Sequence, residues 1–86
     1  MSYYPIFADL TGRRCVVIGG GKVAERKVAR LLRCGARVTV ISPTVTRRLS
    51  RDAQEGKIRR LSRPFRVADL TGAWLVYAAT DDQRVN

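Results

Sequence analysis

No histidine occurs in the chain, and its 86 residues include only two cysteines, Cys15 and Cys34. The first absence excludes a histidine general base, a histidine-assisted nucleophile and any histidine-ligated metal. Two cysteines without C-x-x-C spacing cannot build a structural zinc site alone, so no metal ligands are assigned. Both are expected to be buried or half-buried thiols near one end of a sheet. A disulfide between them is geometrically conceivable but disfavoured in a reducing compartment. No apolar run approaches the ~20 residues that span a bilayer. The start, Met1-Ser2-Tyr3-Tyr4-Pro5, lacks the basic stretch and apolar core of a secretion signal. The expectation is a soluble, reduced, cytoplasmic protein with no membrane-spanning segment. Acidic residues are scarce as well: 7 Asp and Glu against 17 Lys and Arg give a net charge of +10. That balance implies an anionic partner (nucleic acid, an acidic membrane surface or a polyanionic small molecule) without choosing among them.

What is present points to one folded unit. The chain is 45% hydrophobic and 28% charged, which suits a small globular domain rather than a disordered segment. Cys15-Val16-Val17-Ile18 is a short, β-rich apolar run of the kind buried on both faces of a parallel sheet. It stops at Gly19-Gly20-Gly21, and from Lys22 the period becomes helical. Val23, Ala24, Val28, Leu31 and Leu32 share one face, while Glu25, Arg26, Arg30 and Arg33 share the other. Gly35 is the expected left-handed stop. Val38-Thr39-Val40-Ile41 reads as a second buried strand ended by Ser42-Pro43. Together these make a right-handed strand–helix–strand unit with parallel strands.

A second unit follows with weaker signals. Thr44 or Thr46 can cap a short basic helix whose Leu49 and Ala53 face inward and which Gly56 closes. Lys57 to Ser62 suits a polar edge strand. Pro64 to Gly72 is a connection with one helical turn, and Trp74 to Ala79 reads as a third strongly buried strand. Trp74, Phe7 and Phe65 are expected in the core, and Tyr3 and Tyr4 on a loose N-terminal surface. Thr80-Asp81-Asp82 resembles the capped start of another helix. The segment Ala8-Asp9-Leu10-Thr11-Gly12 recurs as Ala68-Asp69-Leu70-Thr71-Gly72, each copy just before an apolar strand. The repeat reads as a reused turn, its Leu packing under the sheet and its Gly taking the bend. The expected strand order is 3-2-1-4. The Trp74–Ala79 strand is then left with an open side, which suggests the front part of a larger protein.

Gly19-Gly20-Gly21-Lys22-Val23-Ala24 fits G-x-G-x-x-A between a strand and a helix. Gly19 permits the turn out of the strand, Gly21 lets a pyrophosphate approach the backbone, and Ala24 lets the helix pack closely. The backbone N–H groups at 21 to 23 and the positive end of the helix then favour an anion. The competing reading is a tight turn with no ligand. Lys22, a cation in the first turn, opposes the helix dipole unless a phosphate binds there. Where a ribose-gripping acid is common, this chain has Ser42-Pro43-Thr44, whose hydroxyls can meet a ribose without enforcing NAD. Arg47 and Arg48 nearby can accept the additional phosphate of NADP, so the residues alone leave the choice open.

These residues carry a family resemblance. Pro5-Ile6-Phe7, Gly19-Gly20-Gly21-x-Val23-Ala24-x-Arg26-Lys27 and Gly35-Ala36-Arg37-Val38-Thr39-Val40 resemble the N-terminal domain of sirohaem synthases and of stand-alone precorrin-2 dehydrogenases. Phe65, Asp69-Leu70, Trp74-Leu75-Val76, Ala78-Ala79-Thr80-Asp81-Asp82 and Val85-Asn86 continue the match over nearly the whole chain. The resemblance implies a Rossmann-like NAD-binding domain over residues 1–86, half of a doubly wound α/β fold. It also implies NAD-dependent oxidation of precorrin-2 to sirohydrochlorin, with ferrous insertion in many members. Carried over, the family's cofactor contacts fall on Lys22 and Val23 and on Pro43 and Thr44. Thr80 and Asp81 fall at the nicotinamide end. With the residues read from the motif, the candidate cofactor set is Gly19, Gly20, Gly21, Lys22, Val23, Ser42, Pro43, Thr44, Thr80 and Asp81. The substrate so implied is a tetrapyrrole rich in carboxylates, which gives the positive charge a purpose.

The family's acid–base aspartate, its dimer-forming segment and its C-terminal helices match nothing up to Asn86, so no catalytic residue is assigned and Asp81 and Asp82 are not promoted to that role. The isolated chain is expected to hold cofactor without turnover, and the homodimer is expected of the longer protein. Two rival readings remain: a non-catalytic nucleotide sensor, and a basic nucleic-acid-binding module. Against the second, the sequence shows no aromatic–basic interleaving and no recognised nucleic-acid motif, so no nucleic-acid partner is assigned. The arginines from Arg47 to Arg66 are read as a solvated face, with attraction of an acidic substrate as their functional alternative.

Overall fold

The computed structural model describes residues 9–79. Tyr3, Tyr4, Phe7 and the helix expected from Thr80 lie outside the described residues. Four strands, β1 (Arg14–Ile18), β2 (Arg37–Ile41), β3 (Arg59–Leu61) and β4 (Leu75–Ala78), form one parallel sheet in the order β3-β2-β1-β4. Helices α1 (Lys22–Arg33) and α2 (Arg47–Gln54) link the first three strands, and a 3₁₀ turn (Val67–Leu70) lies on the way to β4. The order is the one expected from the sequence.

Register explains the layering. Cys15, Val17, Val38, Val40, Leu75 and Tyr77 share one face, and there they join Ala24, Val28 and Leu31 of α1 and Leu49 of α2 in a continuous core. Val16, Thr39 and Ile41 point to the opposite face and are buried too. The β3–β4 connection reverses direction across the sheet, so it must cross that second face to stay right-handed. Arg63 and Asp69 tie this crossover together: the guanidinium gives two hydrogen bonds to the carboxylate, one of 2.8 Å, and the Arg66 N–H adds a third at 2.7 Å.

The reused turn closes in the same way in both copies, although the second copy enters it from the 3₁₀ turn. Gly12 and Gly72 have φ of +71° and +77°, and the next residue's N–H donates to Leu10 or Leu70. The leucines differ: Leu10 packs against the core, whereas Leu70 is 44% exposed. Three further expectations are corrected. β4 is half-buried instead of strongly buried, because among the described residues it has a strand on one side only. Trp74 precedes it at 46% exposure, its ring covered by the Arg13 guanidinium 5.4 Å from the centroid. Cys34 is exposed as the C-cap residue, just past the last turn of α1. Cys15 is buried and free; burial, then the nearby Cys34, pushes its thiol pKa up.

Candidate functional site

The carboxyl ends of β1 and β2 meet the start of α1 at a cleft of about 340 Å³. Its walls are the turn 19–21, Ile18, Ile41, Pro43, Phe65 and Ala79. In a doubly wound sheet the strand order reverses between β1 and β4, and this cleft lies at that switch point, where such folds take ligands. Phe65, expected in the core, is half-buried here as a wall of the cleft.

The turn is built by exclusion. Gly19 has φ +124°, and a Cβ on it would lie 2.1 Å from the Ala79 carbonyl oxygen. A Cβ on Gly20 would lie 2.0 Å from the Thr44 carbonyl oxygen. Gly20 also accepts the Thr46 N–H at 2.9 Å, so the middle glycine joins the turn to the loop after β2. The G-x-G-x-x-A pattern treats that position as free, so the spacing alone gave no warning of this packing role.

Gly21 is the N-cap of α1 and offers no side-chain cap. Among the described residues, no protein group accepts the backbone N–H groups of Gly20, Gly21, Lys22 or Val23. A row of unpaired donors at a helix start, with the positive dipole end behind it, is complementary to a phosphate. The residues present therefore fit a dinucleotide's pyrophosphate. Lys22 is less of a clue than its sequence position suggested, because its Nζ lies 3.6 Å from Glu25 Oε2 and the pair offsets its unfavourable place on the dipole. The Thr46 hydroxyl first, then Lys22 and Arg48, hold the Glu25 carboxyl below its ordinary pKa against the opposing effect of burial.

The loop after β2 is pinned from below. Ser42 is buried, and its hydroxyl donates to the Thr44 carbonyl at 2.6 Å, so its single proton is already engaged within the loop. Pro43 and Thr44 are exposed. Arg60 donates to the Pro43 carbonyl at 2.9 Å and to the Ser42 carbonyl at 3.4 Å. Arg60 and Arg63 thus depart from the solvated face expected of the arginines, whereas Arg47, Arg48, Arg51, Arg59 and Arg66 keep to it. Nothing in an arginine-rich stretch marks which members bend inward; only the register, which puts Arg60 beside Val40 on the helix-covered face, does so. Of the ten candidate residues, the structure gathers Gly19, Gly20, Gly21, Ser42 and Pro43 around one cleft, with Lys22, Val23 and Thr44 adjoining. Thr80 and Asp81 lie outside the described residues.

Comparison with known proteins agrees with this geometry. The chain is 50% identical over its full length to "Siroheme synthase" of Methylobacillus flagellatus and 44% identical to the same-named protein of Neisseria meningitidis serogroup C, covering 18% of each. It therefore spans less than a fifth of the curated relatives it matches. A solved structure described as "SirC, precorrin-2 dehydrogenase" superimposes with a TM-score of 0.87 at 34% identity, over 98% of this chain and 42% of the other. Residues 6–86 match the model of the family described as "Putative NAD(P)-binding", and the chain belongs to that family.

Proposed function

We propose that this chain supplies the dinucleotide-binding part of an NAD-dependent precorrin-2 dehydrogenase, which oxidises precorrin-2 to sirohydrochlorin in sirohaem formation. The observation that carries the reading is the row of N–H groups at the start of α1 that no described residue accepts, opening on the switch-point cleft. The names of its relatives, sirohaem synthases and a precorrin-2 dehydrogenase, support the substrate.

Each candidate residue then has a task. Gly19 and Gly20 hold the turn against Ala79 and the loop after β2, and Gly21, Lys22 and Val23 receive the pyrophosphate on their amides. Ser42 stiffens the loop from inside, leaving Pro43 and the exposed Thr44 to line the ribose. Thr80 and Asp81 directly follow Ala79, a wall of the cleft, and are assigned to the nicotinamide end. Bound NAD supplies the hydride acceptor. The catalytic proton acceptor is assigned to the rest of the longer protein, together with homodimer formation and any insertion of ferrous ion as substrate. The net charge of +10 favours approach of a polycarboxylate tetrapyrrole. A cytoplasmic location belongs to the same proposal; among the described residues no helix is long and apolar enough to cross a membrane.

Calorimetric titration of the chain with NAD and NADP, repeated on Gly21→Asp, tests the site. NAD heat that disappears in the variant upholds it. A folded chain that binds NAD equally well with and without the substitution removes the turn from the reading. Activity of the longer protein on precorrin-2 separates a dehydrogenase from a nucleotide sensor, since both would bind cofactor.

A further inference from the structure

The amino-terminal end of the sheet carries a second groove, also about 340 Å³, with Arg14, Arg37, Lys57 and Arg59 on its walls. It lies away from the cofactor cleft: Arg14 and Ile18 are opposite ends of β1, roughly 13 Å apart at the rise of a parallel strand. Arg14 and Arg37 are register partners on adjacent strands, and such strands run only about 4.7–4.9 Å apart. Arg59 extends the row from β3, where it pairs with Thr39 on the same face. Like charges facing one another across neighbouring strands oppose folding.

Two common reasons for such a cluster, ion pairing and helix capping, do not apply. Among the described residues, Arg14, Arg37 and Arg59 form no ion pair; Lys57 alone has one, with Glu55 at 3.2 Å. Nor are the arginines needed to cap the nearby helix ends. The carbonyls closing α1 accept the N–H groups of Cys34, Gly35 and Ala36, and those closing α2 accept the N–H groups of Glu55, Gly56 and Lys57. Arg14 is moreover held in place, since its Nη1 donates to the Thr71 carbonyl at 2.8 Å. The result is a fixed guanidinium flanked by exposed cations over a floor of buried Val38, Thr39 and Ile58. Such an arrangement suits an anion with several charged groups better than a single monovalent ion.

We propose that this groove binds a small polyanion carrying two or more phosphate or carboxylate groups, independently of the glycine turn. Bound anion turns the Arg14–Arg37–Arg59 repulsion into mutual attraction to one guest. The proposal stands whether or not the dehydrogenase reading does, because it uses none of that site's residues.

The test is a titration of the chain with inorganic tripolyphosphate and, separately, tricarballylate, followed by backbone and arginine side-chain NMR shifts. Sodium chloride at matched ionic strength is the reference. Saturable shifts centred on Arg14, Arg37, Lys57 and Arg59 are expected. Arg37→Gln/Arg59→Gln should weaken binding at least tenfold, while Arg26→Gln/Arg30→Gln, an equal charge loss on the exposed face of α1, should change it less than twofold. The anion-free double variant Arg37→Gln/Arg59→Gln should also melt higher than the parent. Both side chains are exposed; if that double variant fails to fold, Arg59→Gln at the sheet edge carries the test. Preference for one probe assigns the guest to phosphates or carboxylates and upholds the site either way. Equal weakening by both double variants, shifts confined to residues 20–24, or no effect beyond that of sodium chloride would overturn it.

Discussion

Helices α1 and α2 begin in opposite ways. α2 starts at Thr46, whose hydroxyl accepts the Leu49 N–H at 3.2 Å, so the protein itself closes part of its first turn. α1 starts at Gly21, with no side chain to do so. Both helices follow a strand of the same sheet, and both carry the same partial positive charge at their start. The difference lies in what each N-terminus faces: α1 opens on the cleft beside Pro43 and Phe65, and among the described residues its first donors meet no protein acceptor. The two starts are also joined, because Thr46 donates its N–H to Gly20 and its hydroxyl lies beside Glu25 of α1. The satisfied helix start thus props up the unsatisfied one.

The harshest way to break this relation is to add a methyl group at the joint. Gly20→Ala sets a Cβ 2.0 Å from the Thr44 carbonyl, which is backbone and cannot swing aside. Gly19→Ala adds strain at φ +124° to a 2.1 Å clash. Each should cost about 2–4 kcal/mol, read as a lowered urea midpoint with an unchanged slope. Next comes Gly21→Asp, where stability and binding should move in opposite directions. Gly21 has φ −93°, which an aspartate adopts freely, and its carboxylate would cap α1 as Thr46 caps α2. The variant should melt at or slightly above the parent temperature, by a few tenths of a kcal/mol at most. It should also lose NAD binding by more than about tenfold, or 1.4 kcal/mol, through occupied amides and charge repulsion. Thr46→Ala is the milder converse. It should cost about 1 kcal/mol of stability and weaken NAD only as far as the loop loosens, measured by thermal melting and calorimetry.

The same contrast marks how far the sequence could be read. β1, α1 and β2 announce themselves because burial on both sheet faces demands unbroken apolar runs, and a helix on one face demands a 3.6-residue period. α2 needed only its cap and Leu49, and the edge position of β3 followed from its charges. The misreadings share one cause, that hydrophobicity does not report which neighbours are present. Trp74 and the strand after it are as apolar as a core strand, yet among the described residues the sheet gives β4 a single partner. Cys34 follows a buried helical face, but the helix has ended by then. At the site, the spacing pointed to Gly19 and Gly21. The packing role of Gly20 and the inward reach of Arg60 depend on where the loop after β2 passes, which no local pattern encodes.

A final, smaller effect concerns the crossover that carries Phe65 into the cleft. Its shape rests on Asp69, which accepts two hydrogen bonds from Arg63 and one from the Arg66 N–H. The Arg63 guanidinium, then the Arg66 N–H, lowers the Asp69 pKa to about 2 from an ordinary value of 3.8. A folded-state pKa below the unfolded one contributes stability that is fully present above the unfolded value and is lost as pH falls through the folded one. Stability from this carboxylate should therefore be constant down to about pH 4 and decline between there and about pH 2. Asp69→Asn removes the titrating group, so the variant should melt lower than the parent at pH 7 and approach it as pH falls through that window. A gap between the two melting curves that stays constant from pH 7 to pH 2 would show that Asp69 does not order the crossover through its charge. Because α1 and its open amides do not depend on that crossover, NAD affinity at neutral pH should change less in Asp69→Asn than in Gly21→Asp.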